Sequence, residues 1–183
     1  MSDPRIAAFL DFWFAPGMEK RWFASDAGLD RELAERFGAD LAAAAQGGLD
    51  HWQDDADGAL ALVILLDQMP RNVFRGKYQA FAFDSKALAM AEAALLRGHH
   101  KGLPPLRRRF LYLPFEHSES LSDQKYCVSL FEADGCDPQG LDYARAHLAV
   151  IERFGRFPHR NAALERENTP DEEEYLAQPG AGF

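Results

Sequence analysis

Apolar residues recur at helical spacing along most of this 183-residue chain. The first such segment begins after Ser2 or Asp3, either of which can cap a helix, and Pro4 suits a first helical position. Phe9 and Trp13, four residues apart, then lie on one face of the predicted helix. No segment shows the strict alternation of apolar and polar residues that is typical of a half-buried strand.

Capping residues, prolines and glycines divide the rest of the chain into further helices. The first three of these predicted helices are residues 29–46, a helix from near Asp57 to a break at Pro70, and a helix that is capped by Asp84 and closed by Gly98. A fourth segment begins at about residue 104 and is interrupted at Pro114. The last three are residues 120–133, a helix from Pro138 to Gly155, and a short helix capped by Thr169. The sequence therefore predicts an all-α fold, a compact array of about eight to nine helices. Because the connections are short, consecutive helices should form antiparallel pairs. We expect one domain over residues 1–183, with residues 178–183 as a loose tail.

The helix that begins near Asp57 should lie at the centre of this array. Apolar residues cover all of its sides between Leu60 and Leu66. A short helix that is apolar all round is normally enclosed by other helices.

Composition limits the classes of partner. The net charge is −9 and the isoelectric point is about 5.1, which argues against binding to the phosphate backbone of nucleic acids. The amino terminus lacks the pattern of a signal peptide, and no apolar run is long enough to cross a bilayer, so we expect a cytoplasmic protein without a membrane partner. The two cysteines form neither a disulfide framework nor a zinc motif. We expect no cofactor and no metal.

Three polar motifs interrupt the helical pattern, and the first is LLDQMPRNVFRG. Asp67 follows the most apolar stretch of the chain and is predicted in the last turn of its helix, where the helix dipole disfavours a carboxylate. A buried charge needs a partner, and Arg71 and Arg75 are the nearest candidates. Gln68 and Asn72 add neutral hydrogen-bonding groups to the same region.

The second motif is FLYLPFEHSESLSDQ. If it is helical, Glu116, Glu119 and Asp123 share one face and repel one another unless a cation lies among them. His117 belongs to the same cluster. These are metal-ligand types, but their spacing matches no recognised metal motif.

The third motif is IERFGRFPHRNA. If Pro158 begins a helix, His159 and Arg160 lie at its positive end, which favours a bound anion there. Arg156 adds to the positive field, and Asn161 follows directly. The anion could belong to a ligand or be a carboxylate of the first two motifs, Asp67 or Glu116.

The motifs allow three functional interpretations. The first is a binding module whose polar cleft recognises a small anionic molecule or a peptide carboxylate. Its ligand-binding side chains would be Asp67, Gln68, Arg71, Asn72, Arg75, Glu116, His117, Glu119, Arg156, His159, Arg160 and Asn161. The second is an enzyme, hydrolase-like, with Glu116 or His117 as general acid or base. The third is a structural or interaction protein, which includes a homo-oligomer, whose motifs form a buried salt-bridge network.

The order and spacing of the three motifs resemble the signature of a widespread bacterial family catalogued only as a domain of unknown function. The segments that carry this resemblance are LLDQMPRNVFRG, FLYLPFEHSE and RFGRFPHRN. The resemblance covers nearly the whole chain, from Phe12 to the helix capped by Thr169. It implies an all-helical protein related in architecture to tetratricopeptide-type repeats, with a superhelical arrangement of helix pairs. It implies no activity, cofactor or catalytic residue.

Overall fold

The structure, a computed structural model, describes residues 3–182 and contains eight α-helices in that range. They are α1 (Pro4–Trp13), α2 (Ala27–Ala45), α3 (Ala56–Val73), α4 (Asp84–Leu96), α5 (Pro105–Glu116), α6 (Leu121–Asp134), α7 (Pro138–Phe154) and α8 (Pro170–Leu176). Short 3-10 turns connect several of them, and no strand occurs among the described residues. The prediction of an all-α fold is confirmed.

The central position of α3 is also confirmed. Every side chain from Leu60 to Leu66 is completely buried. Helices α1, α2, α4 and α5 all pack against α3, so that its apolar surface is covered from several directions. Consecutive helices α5, α6 and α7 pack against one another and extend the array on the α5 side. The tetratricopeptide-like superhelix stays a prediction.

Local capping signals account for most helix starts. Asp3 accepts a hydrogen bond from the backbone N–H of Arg5, whereas Ser2 lies outside the described residues. Ser120 caps α6 through the backbone N–H of Asp123. Thr169 and Glu172 form a complete capping box at the start of α8. Each cap satisfies backbone N–H groups that have no partner within the helix.

The predicted breaks at Pro70 and Pro114 are wrong. Helix α3 continues through Pro70 to Val73, and α5 continues through Pro114 to Glu116. Both prolines are buried near the end of their helix. Each interrupts at most one backbone hydrogen bond there, and the packing of the surrounding helices offsets that loss.

The extended α3 changes the position of Asp67, which lies well inside the helix instead of in its last turn. The prediction that Asp84 caps α4 is also wrong, because Asp84 is the first residue of the helix and Phe83 occupies the cap position. Since α5 ends at Glu116, the carboxylates of Glu119 and Asp123 do not share a helix face with it.

Among the described helices, none combines the length and the apolar character needed to cross a membrane.

Candidate functional site

A cavity of about 670 Å³ opens between α3, α5, α7 and the turn that follows α7. Eight of the twelve residues predicted to bind a ligand line it. They are Gln68, Arg71, Asn72, Arg75, Glu116, His117, His159 and Arg160. Aromatic side chains, among them Phe81 and Tyr143, complete the walls. Gly180 and Gly182, from the described part of the predicted tail, also line the cavity. The described part of the predicted tail therefore contributes to the site.

Asp67 does not line the cavity itself, but it forms a pair with His117, which does. The His117 Nδ1 lies 2.8 Å and 3.0 Å from the two carboxylate oxygens of Asp67. Gln68 donates a third hydrogen bond to the same carboxylate at 2.6 Å, and Arg71 lies 3.4 Å from it. Because a carboxylate only accepts, His117 carries its proton on Nδ1 and leaves Nε2 unprotonated when the ring is neutral.

The charges of this pair follow from burial and from Arg71. Burial alone would raise the pKa of Asp67, but the positive charge of Arg71 and the contact with His117 hold it well below its usual value. Burial, reinforced by Arg71, lowers the pKa of His117 although Asp67 opposes this shift. At neutral pH the pair therefore consists of an ionised Asp67 and a neutral His117, and Arg71 is the cation that keeps Asp67 ionised.

Glu116 adjoins this pair and is almost completely buried, with only 4% of its surface exposed. Its Oε2 has no hydrogen-bond partner among the described residues. Burial raises the pKa of Glu116 to about 8, with Arg109 opposing the shift and Asp67 adding to it. In the absence of a bound cation the side chain is a neutral carboxylic acid at pH 7.

His147 of α7 completes this part of the cavity. Its Nδ1 lies 2.9 Å from the backbone carbonyl oxygen of Tyr143 and 3.4 Å from Glu116 Oε1. Burial, together with the nearby His117, lowers the pKa of His147 to about 3, so that the ring is neutral. One ligand atom from each of Glu116, His117 and His147 lies within 4.8 Å of the other two. These three side chains are of metal-ligand types and lie near enough to one another to form a candidate metal site.

Arg71 and Arg160 meet on a single carboxylate, that of Asp84. Arg71 donates to both oxygens of Asp84, at 2.9 Å and 3.0 Å, and Arg160 donates to one of them at 3.2 Å. The Arg160 guanidinium also lies over the rings of Phe81 and Phe157, 4.8 Å and 4.5 Å from their centroids. Burial, reinforced by Arg71, lowers the pKa of Arg160 to about 10, which leaves it cationic at neutral pH. The carboxylate that contacts Arg160 is therefore Asp84, whereas Asp67 and Glu119 act on it only at longer range.

His159 precedes Arg160 in the three-residue turn Pro158–Arg160. Burial and the adjacent Arg160 lower the pKa of His159 to about 4, so that it presents a neutral ring to the cavity. The third motif thus places one cation, Arg160, and one neutral imidazole at the cavity wall.

At the rim of the cavity, α3 is tied to α2 through Asp30. Asn72 donates to Asp30 at 3.0 Å, and Arg75 donates to both of its oxygens at 3.1 Å and 3.2 Å. These contacts occupy Arg75 with a carboxylate of the protein itself.

The remaining predicted residues, Glu119, Arg156 and Asn161, do not line the cavity and belong to a separate network. Glu119 accepts two hydrogen bonds from Arg166, at 2.7 Å and 2.9 Å, and one from the backbone of the third motif at 2.8 Å. Arg156 pairs with both oxygens of Glu172, at 2.6 Å and 2.7 Å. Asn161 bonds to Arg166 at 2.9 Å. This network fixes α8 and the turn after α7 against the start of α6.

Sequence reasoning missed two important members of the site, Asp84 and His147. Asp84 was interpreted as a helix cap, and nothing local indicates that two distant arginines converge on it. His147 lies on the buried face of α7 with Ala144 and Ile151. A polar ring on an apolar helix face is the one signal in the sequence that points to it.

The fold and the cavity define an all-α protein with a pocket lined by arginine and histidine side chains. The chain belongs to the family described as bacterial proteins of unknown function, DUF924, whose model matches residues 9–180. It is similar to the solved structure of a protein of unknown function, ATU0120, from Agrobacterium tumefaciens, with 41% identity and a TM-score of 0.91. That match covers 96% of this chain and 98% of the other. The curated proteins contain no significant match.

Proposed function

We propose that this protein binds a small molecule carrying a carboxylate or phosphate group inside the cavity. Arg160 is the observation that carries the proposal. Only 6% of its surface is exposed, and its Nε has no hydrogen-bond partner among the described residues. Buried polar groups are normally hydrogen-bonded, and an anionic ligand in the cavity would supply the missing acceptor.

The sharing of Asp84 supports the same proposal. Two guanidinium groups converge on one carboxylate, and the second contact, from Arg160, is the longer one. A ligand anion would relieve the repulsion between the two cations and complete the coordination of Arg160. Arg75 and Arg156 each donate two hydrogen bonds to a carboxylate of the protein, Asp30 and Glu172 respectively. We therefore assign the anion contact to Arg160, with support from Arg71.

The size and lining of the cavity suit a small molecule. Its volume of about 670 Å³ lies within the range usual for ligand pockets. Phe81 and Tyr143 offer apolar surface, while Gln68 and His159 offer hydrogen-bonding groups for the rest of the ligand. Glu116 and His117, the candidates for general acid and base, line the same cavity, so a bound anion would lie beside them.

The first experiment is native mass spectrometry of gently purified protein, compared with the denatured mass of the same sample. A retained ligand would add mass that is lost on denaturation. Thermal-shift assays with phosphate monoesters, dicarboxylates and N-acetyl amino acids, run with a chelator present, then identify the class of anion that raises the melting temperature.

The matched variants are Arg160→Lys in the cavity and Arg145→Lys on the exposed face of α7. Lysine keeps the charge but loses the planar fork, so Arg160→Lys should weaken binding of the selected anion by tenfold or more, about 1.4 kcal/mol. Arg145→Lys should bind as the wild type does. Unchanged binding by a folded Arg160→Lys protein, or no stabilisation by any compound, would contradict the proposal.

A further inference from the structure

The geometry points to a divalent metal site formed by Glu116, His117 and His147 in the wall of the cavity. All three side chains line the cavity, and one ligand atom of each lies within 4.8 Å of the other two. Two imidazoles and one carboxylate form a ligand set that binds zinc and other first-row divalent metals. Magnesium and calcium prefer oxygen ligands throughout, so the histidines favour a transition metal, with zinc as the expected ion.

Both histidines engage one ring nitrogen, Nδ1, in the manner usual for metal ligands. His117 directs Nδ1 to the Asp67 carboxylate at 2.8 Å, and His147 directs Nδ1 to the Tyr143 carbonyl oxygen at 2.9 Å. In metal sites a ligating histidine almost always donates its other N–H to a carboxylate or a backbone carbonyl. This arrangement sets both rings in the tautomer whose Nε2 can take a metal. Asp67 and Tyr143 would thus be positioning residues for the two ligands.

Glu116 supplies the second, independent observation. Its side chain is buried, and its Oε2 has no hydrogen-bond partner among the described residues. An orphaned carboxylate oxygen beside two histidines is costly without a partner, and a cation would provide one. Burying the Glu116 carboxyl group without a partner does not stabilise the fold.

The charged groups around the three side chains are already paired with one another. Asp67 and Asp84 carry negative charges that face the positive charges of Arg71 and Arg160, and Arg109 is paired with Asp137. These pairs balance one another. Glu116 Oε2, by contrast, has no hydrogen-bond partner among the described residues and is available to a metal ion.

The site is close to, but not yet at, the geometry of a bound metal. Tetrahedral ligands with bonds of about 2.0 Å lie roughly 3.3 Å apart, so small rotations of the side chains must bring the three groups together. Three protein ligands leave a fourth position open towards the cavity. This is the pattern of a reactive metal site and not of a closed structural one. A metal on His117 Nε2 would occupy the nitrogen that a general base would use.

The test uses zinc and cobalt themselves as probes on the whole chain. Metal-free protein, prepared with a chelator, is titrated with zinc in a calorimeter and with cobalt by visible absorption. One ion per chain should bind, and the cobalt complex should show the strong bands of four- or five-coordinate geometry. Failure to bind either ion would overturn the inference.

The variants are Glu116→Gln and His147→Gln, with the exposed His51→Gln as the matched control. Glu116→Gln keeps the shape of the side chain, and circular dichroism reports whether each variant is folded. Both site variants should weaken zinc binding by tenfold or more, whereas His51→Gln should leave it unchanged. If Glu116→Gln and His147→Gln bind zinc as tightly as His51→Gln does, zinc binds elsewhere in the protein and the proposed site is wrong. Because the anion assays contain a chelator, loss of metal binding and loss of anion binding are separate outcomes.

Discussion

Glu116 and Glu172 are both almost completely buried, yet their pKa values shift in opposite directions. The two hydrogen bonds from Arg156 lower the pKa of Glu172 to about 2, against the effect of burial. Glu116 has no such cation in contact, and burial raises its pKa to about 8. The partner of a buried carboxylate therefore decides whether it is ionised at neutral pH.

The variant Glu172→Gln tests whether contact with Arg156 keeps Glu172 ionised. The pKa of folded Glu172 lies below the ordinary value, so its stabilisation is complete above about pH 4.5 and is lost as the pH falls towards 2. We expect Glu172→Gln to lower the free energy of unfolding at pH 7 by about 2 kcal/mol, because it breaks a charged pair of hydrogen bonds. The difference from wild type should shrink between pH 4.5 and pH 2. Urea unfolding at each pH measures this.

The neighbouring Glu173→Gln is the control, because Glu173 is exposed on the same helix. It should change the unfolding free energy by less than about 0.5 kcal/mol at any of these pH values. A difference between wild type and Glu172→Gln that does not vary with pH would show that Glu172 is not held ionised by Arg156.

At the scale of the element, α3 is the helix on which α1, α2, α4 and α5 pack, and its first turn is closely confined. Gly58 lies in that turn, where a Cβ would be 2.1 Å from the carbonyl oxygen of Trp52. That neighbour is backbone and cannot move aside as a flexible side chain would. The close approach of the preceding turn therefore requires glycine here.

Gly58→Ala and Gly38→Ala should consequently have opposite effects. Gly38 lies inside α2, and a Cβ there meets nothing within 4 Å. Gly58→Ala should destabilise the protein by about 2 kcal/mol or more through overpacking. Gly38→Ala should stabilise it by up to about 1 kcal/mol, because alanine is the better helix former. Thermal unfolding of both variants provides the comparison, and a neutral Gly58→Ala would disprove the tight contact.

At the scale of the whole molecule, Asp84 joins parts of the chain that are far apart in sequence. It receives Arg71 from α3 and Arg160 from the turn after α7, while it lies itself at the start of α4. The network thus connects the centre of the array with its later helices. Its removal should affect the stability of the fold and the shape of the cavity together.

Asp84→Asn should lower the free energy of unfolding by about 3 kcal/mol, because it leaves the buried Arg160 without a carboxylate in direct contact. The control is Asp57→Asn, whose exposed pair with Arg107 has a separation of 3.3 Å and should contribute less than about 1 kcal/mol. Urea unfolding measures the loss of unfolding free energy in each variant. Equal, small losses in the two variants would mean that the Asp84 network does not hold the fold together.

The sequence by itself determined the all-α fold, the caps at Asp3 and Thr169 and the central position of α3. These features depend on contacts within a few residues, such as Thr169 with Glu172, or on periodicity along one segment. The same local reasoning misplaced helix ends at Pro70 and Pro114, because tertiary packing offsets the local cost of a proline. It also marked the three motifs that supply most of the cavity's polar lining.

Only the tertiary structure decided which side chains meet. Asp67 contacts His117 across fifty residues of sequence, and His147 joins them from another helix. Glu119 and Arg156, in contrast, turn away into the network beneath α8. The choice of partner depends on how whole helices pack and on which direction each side chain leaves its helix. No local pattern contains that information, because the pairing energy exists only once the helices are in place.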